Sequence, residues 1–162
     1  MKSWVLIMVL FVFFKHHAQL TISPLGHIEF TVLETSISEA GNDFTSDLLS
    51  STNENELSVT IYPQDLNNTT YRNWHIDVKR TDINWDSSLS IYVKKTAEGT
   101  SNYGTTTTGG ETFMEVTSSD QLFFQGAGWI TDIPIQYKIS GISVTIASDT
   151  YSTEITYTLL DN

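Results

Sequence analysis

The chain has 162 residues, enough for one domain that hides about two-thirds of its unfolded surface, so a core needs neither disulfide nor metal. It contains no cysteine, which excludes disulfides, thiol nucleophiles, thiolate metal sites and an N-terminal lipid-modified cysteine together. Eight Lys and Arg stand against nineteen Asp and Glu, a formal charge of −11, and that balance disfavours nucleic acid and anionic membranes as partners.

The N-terminus reads as a secretory signal peptide over residues 1–18. Lys2 precedes an unbroken apolar run from Trp4 to Phe14, and Ala18 offers a small residue for cleavage before Gln19. Eleven apolar residues are too few for a membrane span, which needs about 20, so no stable span is expected after cleavage. Removing Lys2 and Lys15 leaves six Lys and Arg against the nineteen acids, a formal charge of −13. Residues 19–162 then form one domain. Such an acidic, cysteine-free chain fits a bacterial envelope or extracellular setting, whereas small secreted eukaryotic domains are usually disulfide-bonded.

Beyond the signal, apolar residues recur with period two, the mark of strands with one buried face. Ile28, Phe30 and Val32 alternate with polar neighbours, and so do Leu57, Val59 and Ile61. A short helical turn fits Asp43 to Ser51. The stretch from Trp74 to Thr96 repeats itself: Ile76, Val78, Lys79, Arg80 and Thr81 are echoed by Ile91, Val93, Lys94, Lys95 and Thr96. Paired as a hairpin around "TDINWDSS", these strands put Lys79 and Arg80 at the turn and Lys94 and Lys95 at the far end. At about 3.3 Å per residue they are too far apart for one anion pocket, and each basic pair reads as offsetting acidic neighbours or keeping a strand face soluble. Thr96 to Thr112 reads as a long surface loop, a flexible connection between sheets ranking ahead of a functional loop. Short strands follow at Phe113 and at Leu122 to Phe124, then longer ones through Ile133 to Ile139, Ile142 to Ile146 and Tyr151 to Leu159. Seven to nine strands separated by turns, with no sustained helical stripe, predict an all-β antiparallel sandwich.

Three groups of residues are candidates for binding. Asp82, Asn84 and Asp86 match the first three ligand positions of a calcium loop, where alternate oxygen side chains wrap a hard cation; Ser87 and Val93 then depart from that pattern. No other cofactor is expected. Trp85, Tyr103 and Trp129 are the aromatics that, if exposed, would stack on a sugar, and Trp129 equally suits a buried corner of the sandwich. Asn67 and Asn68 head Asn-x-Thr sequons. His27 and His75 fall at outward strand positions without partners at metal-ligand spacing, no Gly-x-Ser-x-Gly elbow occurs, and no catalytic residue is assigned.

The C-terminal stretch "IQYKISGISVTIASDTYSTEITYTL", with Tyr151, Ile155, Tyr157 and Leu159 in its last strand, resembles the closing strands of bacterial secreted surface domains of the spore coat protein U and fimbrial-subunit type. The Ala18-Gln19 junction also resembles secreted Bacteroidetes proteins. The first resemblance implies an immunoglobulin-like sandwich exported from the cytoplasm and, in some members, assembly through donated strands; this chain lacks that family's cysteines. The function expected is a non-enzymatic structural subunit or adhesion module, secreted or in the cell envelope, with other protein subunits as partners. The alternative is a carbohydrate-binding module for cell-surface glycans, and a small hydrolase ranks third.

Overall fold

A computed structural model describes residues 19–23, 28–31, 47–62, 72–101 and 104–162, with the backbone alone for residues 19–23, 61 and 62. The proposed signal peptide, Val32, the sequons and Tyr103 lie outside the described residues.

Among the described residues, eleven strands form two antiparallel sheets packed as a β-sandwich. They are β1 (Gln19–Ser23), β2 (Leu48–Leu49), β3 (Asn55–Tyr62), β4 (Asn73–Asn84), β5 (Ser90–Lys95), β6 (Thr100–Ser101), β7 (Thr107–Thr108), β8 (Met114–Glu115), β9 (Gln121–Ala127), β10 (Ile130–Ser140) and β11 (Ser152–Asp161). One sheet runs β1-β3-β10-β5-β8, with β2 and β6 also on β10; the other runs β11-β4-β9-β7. From β3 onward each strand of five residues or more lies in the opposite sheet to the one before it.

That zigzag overturns the expected hairpin. β4 pairs with β9 and β11, whereas β5 pairs with β10 and β8 in the facing sheet, so residues 85–89 form an arch between sheets. Period two says which residues point inward and nothing about which strand lies alongside. The helical turn is corrected too, within its described part: Leu48 and Leu49 pair with Lys138 and Ile139 as a short strand. Ile28 and Phe30 pack against the core from a segment that is not a strand. The strand expected through Ile142, Val144 and Ile146 is a turn-rich connector, in which the Ile146 N–H donates to Ser143 O at 3.1 Å and Val144 is exposed.

The core is what alternation predicts: Leu57 and Val59 from β3, Trp74, Ile76 and Val78 from β4, Ile91 and Val93 from β5, and Ile130, Ile133, Ile135 and Tyr137 from β10. Two bulges correct the parity where the sequence breaks it. On β9, Ile76 opposes Phe124 and Asp77 opposes Leu122, so Phe123 is the extra residue and both phenylalanines are buried. On β10, Ile130 opposes Val59 and Ile133 opposes Leu57; the extra residue is absorbed around Asp132, whose φ of 56° is one that Asp adopts more readily than most residues. Gly126 lies opposite Trp74, and a Cβ there would fall 2.5 Å from the indole. Its missing side chain is what lets this ring, fully buried, lie against β9 while its Nε1 donates to Gly128 O at 2.8 Å.

Candidate functional site

The doubled motif acquires its meaning from the arch. Ile76 and Val78 point inward, so Arg80 has inward parity; Ile91 and Val93 point inward, and so does Lys95. Because β4 and β5 run in opposite directions from the arch, Arg80 stands at one end of the sandwich interior and Lys95 at the other. The lysines do not share a role. Lys94 points outward over the Phe113 ring at 4.7 Å, while Lys95 is 2% exposed, so of the two expected roles Lys95 loses that of a solubilising surface charge and keeps that of pairing with acidic neighbours.

A buried ammonium costs several kcal/mol unless paired and fully hydrogen-bonded. Lys95 Nζ lies 2.7 Å from Glu98 Oε1, 3.2 Å from Glu111 Oε1 and 2.5 Å from Thr107 Oγ1. The second Glu98 oxygen accepts from the Thr107 N–H at 2.7 Å and its hydroxyl at 2.5 Å. Burial pushes the Glu98 carboxyl up, but Lys95 and both Thr107 donors outweigh it and hold the carboxyl below its ordinary value. The Glu111 carboxyl is lowered as well, first by a backbone N–H and then by Lys95. Three points of the 96–112 segment therefore converge on one cation, and the expected loose connection is instead a clasped one. At the other end, Arg80 Nε lies 3.2 Å from Asp82 Oδ1 with the guanidinium 5.7 Å over Trp85, while Nε and Nη1 are sealed from solvent without hydrogen-bond geometry.

The candidate calcium ligands lie on an extended strand and the arch, each engaged nearby. Asp82 Oδ1 meets Arg80 and accepts from the Thr153 hydroxyl at 3.2 Å. Asn84 Nδ2 donates to Thr150 O at 2.8 Å. Asp86 Oδ1 accepts from the Ser88 hydroxyl at 2.6 Å and the Ser88 N–H at 2.9 Å, bonds that lower its pKa and form the turn. Among the described residues, no three His, Asp or Glu side chains gather as a metal-binding group. Trp85 is half-buried against the core and donates to Leu89 O at 2.9 Å. Trp129 is half-buried, its Nε1 sealed from solvent without a partner. Trp85 is thus engaged with the core rather than free for stacking.

Sequence reasoning passed over two surfaces. On the outer face of β4, His75 Nδ1 lies 2.5 Å from Asn162 Oδ1 and His75 Nε2 lies 3.8 Å from Asp77, and with Leu122 and Gln125 they line a shallow concavity of about 430 Å³. Its wide opening suits part of an extended ligand better than an enclosed small molecule. The second surface is the pair of sheet edges at one flank. The edge strands β7 and β8 have two residues each; β1 has five and β11 ten. Beside β8, the Lys95 N–H donates to Gly110 O at 2.6 Å and the Val116 N–H to Ile91 O at 2.8 Å, so the edge of β5 is covered. Among the described residues, β11 is paired on one side only, by β4.

The chain matches no protein-family model, no curated protein and no solved structure.

Proposed function

We propose that this protein is a non-enzymatic β-sandwich of the cell envelope or extracellular space that works as a structural or adhesive module through its sheet edges. One observation carries the reading. β11 is ten residues long, holds no Lys, Arg, Pro or Gly, and has its register irregularity confined to Ser152 and Thr153 at its start. Folded proteins ordinarily blunt an exposed edge with short strands, lysines, prolines or bulges, because an unpaired ladder invites another strand. The β7 and β8 flank is blunted in that way, and the β11 edge is not.

Structural use is favoured over glycan binding because Trp85 packs against the core and its indole N–H is taken by Leu89 O. The test is fractionation of producing cells with protease added outside. The chain is expected outside the cytoplasm, accessible to protease and retained with surface material; a freely diffusing cytosolic chain would overturn the reading.

A further inference from the structure

We infer that the partner of the β11 edge is a second copy of this chain, joined β11 to β11 antiparallel about a twofold axis, so that two four-stranded sheets become one of eight strands. The inference rests on the edge-pairing role proposed above. Ile155, Tyr157 and Leu159 pack toward the core, while Glu154, Thr156, Thr158 and Leu160 lie on the other face, opposite Thr81, Lys79, Asp77 and His75 of β4. Opposed residues of antiparallel strands share a face, so only registers that preserve this division are open.

Two such registers centre on this strand. With Thr156 opposite itself, Ile155 meets Tyr157 and Glu154 meets Thr158. With Tyr157 opposite itself, Ile155 meets Leu159, Glu154 meets Leu160 and Thr156 meets Thr158. Neither places a carboxylate opposite a carboxylate, although acids outnumber bases nineteen to eight in the chain, and both align apolar side chains on the inner face. The edge is thus complementary to itself within a surface otherwise set to repel its own kind.

One strand a side falls short of the roughly 800 Å² per partner of stable complexes, so the pairing is weak and concentration-dependent. Each copy carries a formal charge of −11, and salt screens that repulsion, so association tightens as salt rises.

The experiment is sedimentation of the full chain from micromolar to millimolar concentration at low and high salt, together with disulfide trapping. The chain has no native cysteine, so an introduced thiol is the sole one. Thr156→Cys alone, or mixed with Thr158→Cys, is expected to give disulfide dimers on oxidation, while Thr108→Cys on the short β7 edge does not. Thr156→Glu/Thr158→Glu is expected to abolish the dimer with unchanged melting. A monomer at every concentration, or trapping at Thr108 equal to that at β11, overturns the inference. The two proposals fail separately: a surface-retained monomer removes the second copy and leaves the envelope role, and a cytosolic β11 dimer does the reverse.

Discussion

The two flanks of the sandwich solve the edge problem in opposite ways. On one, two-residue strands, two backbone hydrogen bonds and a segment clasped around Lys95 leave little ladder open. On the other, β11 pairs fully with β4, yet its residues are at best half-buried and its connector from β10 is mostly exposed. A region held by buried groups resists local opening more than one held by a single exposed ladder. The closed flank is therefore expected to hold longest on local opening, and the β11 flank to yield first.

The largest effect is expected at Gly99, inside the clasped segment. Its φ is 76°, and a Cβ would fall 2.5 Å from Thr131 O and 2.7 Å from an Ile133 side-chain carbon. Gly99→Ala combines backbone strain with overpacking against a buried strand, and denaturant unfolding should register a loss of about 3 kcal/mol. A value under half of that would mean the segment yields, and the contrast between the flanks would be lost.

Next comes Glu98→Ala, which strips Lys95 of its nearer carboxylate. Breaking a buried pair costs about 3–5 kcal/mol, but Glu98 is half-exposed and Glu111 stays within reach, so about 1–3 kcal/mol is expected. The same pair sets an acid limit. A carboxyl held below its unfolded value of 4.5 stabilises the fold above that pH, and the benefit fades as pH falls through the lower, folded value. Thermal melting of the native chain should therefore drop below about pH 4.5, and the Glu98→Ala profile should be flatter there.

How much of this was legible follows from the same residues. Inward positions in β3, β4 and β5 were readable because period two is a local rule. Pairing was not: Leu159 opposes Ile76 across most of the described chain, and no local signal encodes that contact. Lys95 was readable and missed, since counting by two from Ile91 and Val93 places it inside. Its partners were not, because Glu98, Thr107 and Glu111 sit among turn residues whose spacing carries no periodicity. The closed flank was thus hidden by nonlocal pairing, and the open one by the need to know what lies beside β11.

Where the flanks meet the interior, Tyr157 of β11 and Tyr137 of β10 join hydroxyls at 2.9 Å, and Asn55 Nδ2 donates to Tyr137 at 3.2 Å. Tyr157→Phe removes one neutral hydrogen bond and leaves Tyr137 the Asn55 contact, so about 1 kcal/mol is expected. Burial raises the Tyr157 hydroxyl well above 10, with the neighbouring Tyr137 adding to it. The neutral form is the folded one, so stability is full below pH 10 and is lost as pH rises through the folded value. Tyr157→Phe should blunt that alkaline loss, and an unchanged alkaline limb would show that the two sheets are not joined through these hydroxyls.

The smallest effect is expected from the change that looks most drastic. Lys95→Met removes the cation around which the closed flank is built, yet it keeps a long unbranched side chain in the same apolar slot. The two orphaned carboxylates are not buried: Glu98 and Glu111 have side chains 47% and 58% exposed and rehydrate in place. Thr107 keeps its bonds to Glu98. Desolvating the ammonium no longer has to be offset, so replacing the pair is expected to be neutral within about 1 kcal/mol, and stabilisation is allowed. The ordering against Glu98→Ala is the informative quantity. If removing the acid costs more than removing the base, the ion pair exists to tolerate a buried lysine, and apolar packing closes this flank. If Lys95→Met unfolds the chain while Glu98→Ala does not, the ammonium itself organises the 96–112 segment, and the closed flank depends on charge as the open one does not.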